Sequence, residues 1–510
     1  MFHDYLHRAE TLFAQGKIQE ALKEFYWLNE QYPNSPEILN NLGVALYELG
    51  QLDKADNFLS QVLNISSEFD EAKKNLDAVR AIKDFGGKQI QNERSKKKHL
   101  SKTEPEKEEF KFVYLDSGLV NNVGHHANSA RFLTTELRNN DIDVLSYSHR
   151  GIEQSLKREL DVIPLFRIYT YANFSKDPLS GWLDNFFPAY KYTLEDLHTI
   201  VKPSSKDVLF WNSAQPAQLK AVIAWWQAVY PEAKYAPVLN IELGTDGGAQ
   251  IDNEDNLNVY TPKARLYRHA SHIISKDHSK RLRIFTYDKN ASEVYEKLLN
   301  LEVTTLDPPH QATGNRINRL DSTWPLTIGI IGHQRGDKGF HLVQPVLRKV
   351  MERVENINIL VHNGSLYKMS NVTQELQLWE KSEPRLEVVN QPADMWQWAK
   401  LLDQIDLMLL PYQPLRFQNS YSAVAIECLA HGIPAVVPAN TSLSKTLNMN
   451  KQQAIEFENW EVADIVEATI SAIENYNTLA KSGEKKARDW AANNSLKKVV
   501  STLLEPVSVE

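Results

Sequence analysis

The stretch Ile405 to Asn440, IDLMLLPYQPLRFQNSYSAVAIECLAHGIPAVVPAN, decides how the rest of the chain is read. Asp406 to Leu410 is a short apolar run closed by Pro411, the form of a strand buried on both faces. A polar loop follows through Arg416, Asn419, Ser420 and Ser422. The helical segment Ala423 to Ala430 surrounds a single carboxylate, Glu427, with apolar residues. It stops at Gly432, with Pro434 just beyond, and Ala435-Val436-Val437 supplies the next buried strand. A strand, a hydroxyl-rich loop and a helix with unpaired N–H groups at its start make a site for an anion. Glu427 lies five residues after Ser422, about one and a half turns into the helix, where a carboxylate can accept hydrogen bonds from sugar hydroxyls. Read blandly, the same stretch is a βαβ unit with a solvent-facing Glu.

Upstream, Leu326 to Ile331 reads as a strand running into GHQRGDKGFHLVQPVLRKV. Gly332, Gly336 and Gly339 bracket Arg335 and Lys338, two cations three residues apart at a strand's end. Such a pair can neutralise a diphosphate, Arg through a fork of donors and Lys as a point charge; the alternative is a charged surface turn. Ile357 to His362 and Leu386 to Val389 read as strands, and Asp394 to Leu402 as a helix holding Trp396 and Trp398.

Residues 110 to 320 begin with the strand Phe112 to Leu115, the loop DSGLVNNVGHH, a helix to about Asn139 and a strand at Ile142 to Tyr147. Gly118 and Gly124 free the loop backbone, and His125 and His126 sit where the helix begins. Ligands of open α/β sheets bind at the carboxyl ends of strands, so one of these histidines can meet a bound sugar as hydrogen-bond partner or general base. Facing water at a helix start is the other reading. The loop lacks the full dinucleotide fingerprint. Residues 165 to 200 read as aromatic-rich and irregular. Asp207 to Trp211, Tyr235 to Ile241, His272 to Ser275 and Val303 to Leu306 read as strands, and Ala217 to Tyr230 and Ser292 to Asn300 as helices. The loop Glu242 to Gly248 is polar enough to approach a ligand. Asp141-Ile142-Asp143 precedes a strand where a metal-binding D-x-D would follow one, and neither zinc spacing nor a P-loop occurs.

The first eighty residues repeat at a shift of 34, which sets Gly16 on Gly50, Ala21 on Ala55, Phe25 on Leu59, Leu12 on Leu46 and Ala9 on Gly43. LFAQGKIQEALKEF and ALYELGQLDKADNFL resemble tetratricopeptide repeats, with Asp70 to Lys83 as a helix covering the apolar end. Such a module is a protein-binding cradle or a dimerisation prop. Residues 85–110 are a charged linker, almost wholly polar and too poor in apolar residues to bury a core.

At 510 residues the chain has room for about three domains. Its 42% hydrophobic and 24% charged residues are those of a soluble globular protein. A net charge of −8 gives nucleic-acid binding little support. Cys428, the single cysteine, reads as a buried thiol in a reducing compartment. No signal peptide and no apolar run long enough to span a membrane is seen, so the expected location is the cytoplasm.

GHQRGDKGFHL, DLMLLPYQPLRFQNSYSAVAIECLAHGIPAVVP and, more loosely, VNNVGHHANSARFLTTELRNNDIDV carry a resemblance to GT-B glycosyltransferases. The chain is most similar to the large retaining family to which sucrose synthase and many bacterial sugar transferases belong. The resemblance implies α/β architecture: two doubly wound domains (residues 111–322 on the acceptor side, 323–480 on the nucleotide-sugar side), a C-terminal helix (481–510) crossing back, and the repeats (1–84) in front. It further implies Arg335 and Lys338 on the donor diphosphate, Ser422 and the following backbone capping the phosphates, and Glu427 on the ribose. The family's E-x7-E has Asn419 at its first position here, which puts the sugar's identity and retention in doubt. The expected donor-binding set is Gly332, Gly124, Asn419, Ser420, Ser422, Ala423 and Glu427. Arg335, Lys338, His125 and His126 are the catalytic candidates, either histidine serving as base if the enzyme inverts. No metal and no cofactor beyond the nucleotide-sugar co-substrate is required. The expected partners are that nucleotide sugar, a protein acceptor docked by the repeats (a flagellin or other surface protein) and a second copy of the chain. The alternative is a non-catalytic glycan- or nucleotide-sugar-binding or scaffold protein with a degenerate site.

Overall fold

The computed structural model describes residues 2–14, 18–48, 52–77, 79–80, 110–177, 180–244, 247–252, 254–310, 325–365, 368–449, 451–493 and 496–505. The charged linker, the turn glycines Gly16 and Gly50, and Thr245 and Asp246 of the polar loop lie outside the described residues. The chain forms two compact units, Met1–Lys107 and Glu108–Glu510.

In the first unit four helices span Phe2–Ala14, Ile18–Gln31, Pro36–Glu48 and Leu52–Ile65, and residues 70–77 are helical. Small residues let the helices approach: a Cβ on Gly43 would lie 2.5 Å from Leu59 Cγ. Ala9, Ala21, Ala45 and Ala55 are fully buried between larger neighbours such as Phe25 and Leu42. Ala72 and Leu76 close the end of the stack by packing on Leu46, Leu59 and Val62.

The second unit carries two parallel sheets. The first contains β1 (Lys111–Asp116), β2 (Asp143–His149), β3 (Val162–Phe166), β4 (Val208–Trp211) and β5 (Val238–Glu242). After the hairpin β6 (Ala249–Ile251) and β7 (Leu257–Val259) it adds β8 (Leu282–Thr286) and β9 (Val303–Thr305). Its order is β3-β2-β1-β4-β5-β8-β9. The second sheet contains β10 (Leu326–Ile330), β11 (Ile357–His362), β12 (Leu386–Val389), β13 (Leu407–Leu409), β14 (Ala435–Pro438) and β15 (Ala454–Phe457), in the order β12-β11-β10-β13-β14-β15. Both sheets are doubly wound, and each reverses strand order beside its first strand, between β1 and β4 and between β10 and β13. Those switch points open crevices at the strands' carboxyl ends.

Each sheet is apolar on both faces because helices cover both. Trp211 and Leu239 pack on one side of the first sheet, Phe112, Tyr114 and Phe210 on the other. The chain's last helix, Leu496–Leu504, supplies Val499, Val500 and Leu503 to that second layer. Three sequence expectations need correction. His272 to Ser275 is a turn after the helix Pro262–Ser271, not a strand. The region from 165 to 200 is mostly ordered, with a helix at Gly181–Leu197 that tolerates Pro188. The single helix expected after Lys481 is two, Tyr476–Asn493 and Leu496–Leu504.

Candidate active site

The loop after β10 is built for close approach. Arg335 caps a short 3₁₀ turn, Gly336–Lys338, and Gly339 follows at φ 69°, where a Cβ would overlap the Pro411 carbonyl. The Asp337 carbonyl accepts from Gln413 N at 2.9 Å. These contacts press the loop onto the chain leaving β13 and fix where Lys338 points. A Cβ on Gly332 would sit 3.6 Å from both Lys338 Nζ and Val424 Cγ2. Lys338 therefore shares one small space with the first turn of the helix Ala423–His431. Ser422 caps that helix by accepting from Ala425 N at 3.3 Å, a bond worth about 1 kcal/mol. Helix geometry leaves the amides of Ala423 and Val424, which precede the capped one, without intrahelical carbonyl partners.

The electrostatics separate the two cations. Arg335 forks onto Asp337, with Nε–Oδ1 at 2.9 Å and Nη2–Oδ2 at 3.0 Å, and Arg416 Nε approaches the same carboxylate at 3.8 Å. Lys338 has no ion-pair partner among the described residues; its ammonium lies 5.0 Å from the Tyr412 ring centroid. Burial and the nearby Arg335 charge, only partly opposed by Asp337, pull its pKa down to about 7. A site that half-discharges its lysine is short of negative charge.

The first domain meets this loop with His125. His125 is exposed on the crevice, yet partial desolvation by the surrounding protein, then His126, His333 and Lys338, lower its pKa well below the ordinary value, so Lys338 acts on the facing domain across the crevice. Gly124, at φ 88°, precedes the helix His125–Asn139. His125 Nε2 lies 3.3 Å from Tyr171 Oη, which lies 3.1 Å from Ser213 Oγ.

His126 packs its ring beside that of His125, centroids 4.2 Å apart. It is buried, with Nδ1 2.8 Å from Asp116 Oδ1, and its ring fills the space a Gly118 side chain would take. Asp116, at the end of β1, also accepts from Gly118 N at 2.7 Å and Asn212 Nδ2 at 2.8 Å. This is a rigid buried cluster that orients the loop carrying His125.

Glu427 is half-buried rather than solvent-facing, but it is already engaged. Its Oε1 accepts from Trp398 Nε1 at 3.2 Å, and its Oε2 lies 3.0 Å from His310 Nε2 and 3.5 Å from His431 Nε2. Burial raises its pKa, yet the charge and hydrogen bond of His310, with His431, outweigh that and hold it at about 2. Asn419 and Ser420 are buried, and Ser420 Oγ accepts from Arg416 Nη1 at 2.6 Å. Asn419 and Tyr421 line a small crevice with Leu243, Gly244 and Tyr287 of the first domain. The structure thus gathers Lys338, Gly332, Ser422, Ala423 and His125 at one locus, with Asn419 on the crevice between the lobes, while Arg335, Ser420 and Glu427 are tied up locally.

Sequence reasoning gave no role to Asp116, His310 or His333, and reached Tyr171 and Glu242 only as members of the aromatic-rich segment 165–200 and the polar loop 242–248. For Asp116 and Glu242 a signal existed, since each is an acid closing an apolar strand at its carboxyl end. His310 had none, its partner being 117 residues away.

Two sheets with switch points turned toward one cleft, and a helix start closing it, recur in known structures. HepE of Anabaena, solved with UDP and glucose, superposes with a TM-score of 0.53 at 12% identity over 77% of this chain and 98% of that one. A glycosyltransferase from Rickettsia africae ESF-5 gives 0.51 at 13% identity over 78% and 97%. The apo structure of OtsA gives 0.53 at 10% identity over 78% and 100%. The fold is GT-B. Residues 12–76 match the tetratricopeptide repeat family model, so the chain is a repeat module followed by a GT-B unit. No curated protein matches the sequence. In the GT-B unit the observed locus lies where the second domain's first loop faces the first domain's first helix. No helix among the described residues is long and apolar enough to cross a membrane.

Proposed function

We propose that this protein is a glycosyltransferase that moves a sugar from a nucleoside-diphosphate sugar to an acceptor. The observation that carries the reading is the Lys338 ammonium, lodged beside the open amides of the helix at Ser422 with its pKa drawn down to about 7. A diphosphate in that space would restore the lysine's charge and accept the amides. The UDP and glucose held by HepE support a nucleotide sugar as the donor.

In this reading Lys338 and the helix start stabilise charge as it develops on the leaving β-phosphate. Arg335 joins them by exchanging Asp337 for phosphate oxygens. Positive charge from the protein then suffices, and the reaction needs no metal. Transfer proceeds with retention: the departing phosphate oxygen takes the acceptor's proton, and His125 serves as a neutral hydrogen-bond partner. The repeats at 12–76 support a protein acceptor, and the reaction is cytoplasmic. A second copy of the chain is a further candidate partner for the repeats.

The test is a thermal-shift screen of nucleoside diphosphates and their sugars, followed by nucleotide release and transfer with the ligand that stabilises the protein. Stabilisation without turnover would favour the second reading, a nucleotide-sugar-binding protein. Asn419 and the occupied Glu427 carboxylate support that alternative. Removing residues 1–84 should leave donor binding intact and abolish transfer to a protein acceptor; unchanged transfer would refute the docking role.

A further inference from the structure

Glu242 closes β5 at its carboxyl end and is 1% exposed. Its Oε2 accepts from Ser213 N at 2.8 Å, while Oε1 is buried with no hydrogen-bond partner. A carboxyl group desolvated with half its capacity unused is costly, and native folds keep such atoms where a ligand completes them. Two local features hold it so. Ser213 adopts φ 59°, a left-handed conformation costing on the order of 1–2 kcal/mol for a residue with a Cβ. Residue 244 is glycine: a Cβ there would stand 3.0 Å from Oε1 and 2.5 Å from Ser213 Oγ, capping the acid.

The next two residues, Leu243 and Gly244, line the crevice to which the second domain contributes Asn419 and Tyr421. Tyr287 and Tyr421 meet there from the two domains, ring centroids 5.4 Å apart, giving the crevice an aromatic wall. The groups whose fields act with the acid are Asp116 and Tyr114 of β1, Tyr171 after β3, Tyr287 after β8, and Tyr421. None of these is a cation. Burial, eased by the Ser213 amide and reinforced by Asp116, raises the Glu242 pKa to about 8. At neutral pH it is therefore largely a neutral acid, able both to donate and to accept.

We propose that Glu242 is a sugar-reading residue, its Oε1 hydrogen-bonded to a hydroxyl of the transferred sugar held between the two domains. The assignment rests on the donor-site reading above and deepens it. Lys338 holds the diphosphate, and Glu242, with Asn419 opposite, holds the sugar.

The experiment compares matched probes on the full chain: UDP with UDP-glucose, GDP with GDP-mannose, and ADP with ADP-glucose, measured by calorimetry. For the pair that the wild-type protein binds, Glu242→Ala should weaken the sugar-bearing ligand by roughly tenfold or more and leave the bare diphosphate unchanged. Glu242→Gln, which keeps the shape and the Ser213 bond, should stay within about threefold of wild type for both ligands. Equal losses for both ligands, or Gln behaving as Ala, would overturn the proposal while leaving the diphosphate site standing. A wild-type protein that binds none of the six would overturn the donor-site reading itself, and this assignment with it. Should Ala fail to fold, the Gln comparison decides: loss of the sugar preference in a folded Gln protein counts against Glu242.

Discussion

The discharged Lys338 makes a prediction that turns on protons rather than rate. Its pKa is about 7, lowered by burial and Arg335, whereas a bound diphosphate would place two negative groups against the ammonium and drive the pKa back up. Binding must then take up a proton wherever the free lysine is neutral. With a pKa near 7, roughly 3% of free Lys338 is protonated at pH 8.5 and roughly 90% at pH 6. Uptake should approach one proton per diphosphate bound at pH 8.5 and fall to about a tenth at pH 6. Affinity should weaken by about tenfold for each pH unit above 7, until the pKa of the bound state is reached. His125 and His333 both have pKa values lowered from the ordinary 6.5, so neither carries the uptake expected at pH 8.5. Glu242 titrates near pH 8, so the control is essential. Lys338→Met removes the lysine's proton and leaves that of Glu242. Calorimetry in buffers of different ionisation enthalpy reads the uptake directly. The same lysine's removal should cost roughly 10²–10³ in turnover without lowering the melting temperature. Equal uptake in wild type and Lys338→Met at pH 8.5 would refute the reasoning, because the diphosphate would then be binding elsewhere.

Four other outcomes test the site and the packing that supports it. His310→Ala leaves Oε2 of Glu427 only its 3.5 Å contact with His431, so nucleoside-diphosphate affinity should tighten several-fold if a ribose takes the place of the His310 bond; an unchanged dissociation constant would remove Glu427 from the nucleoside site. The low pKa of Glu427, about 2, contributes stability above the ordinary 4.5 that is lost as pH falls toward 2, and in acid titrations this loss should be shallower in Glu427→Gln. Gly432→Ala should destabilise the GT-B unit by at least about 2 kcal/mol. Gly432 sits at φ 65°, and its new Cβ would lie 2.8 Å from the Gly483 carbonyl carbon; an unchanged melting temperature would refute that close packing. Under retention, His125→Ala should lower turnover by less than about tenfold, whereas a general base would cost roughly 10²–10⁴. NMR of the anomeric centre of the product decides the same point independently.

What could be read from the sequence was what the chain does locally. The run from Asp406 to Val437 announces strand, loop, capped helix and strand, and the structure places them within a residue or two because Ser422 and Gly432 are strong helix signals. The strand Leu282–Thr286 was missed, and the reason is physical. Arg283 interrupts its apolar pattern, and what makes a half-buried cation tolerable there lies far along the chain. Arg283 donates to Asn240 Oδ1 at 2.8 Å and to the carbonyls of Thr502 and Leu503 at 2.9 and 2.6 Å. Asn240, buried in the middle of β5, likewise donates to Leu503 O at 3.1 Å. Those residues read as defects in their own strands and make sense only once the last helix is in place.

The same distinction explains the site. Cations near a strand end are visible in the sequence, but whether each is free for a ligand is set by its partners. Asp337, two residues along, ties Arg335. Lys338 escapes because Gly339 lets the turn close against Pro411 and points the ammonium inward. Glu427 sits in the expected helix, yet its availability depends on His310, on the stretch of chain between the two sheets, whose ring also faces Phe132 and Trp490 at 6.2 and 5.6 Å. One imidazole thus touches the first domain's first helix, the long helix near the C-terminus and the acid expected to hold a ribose. A ligand that takes Glu427 from His310 must alter a contact shared by both domains. If a nucleotide's ribose does take Glu427, its binding and the spacing of the two domains are coupled through a side chain belonging to neither sheet.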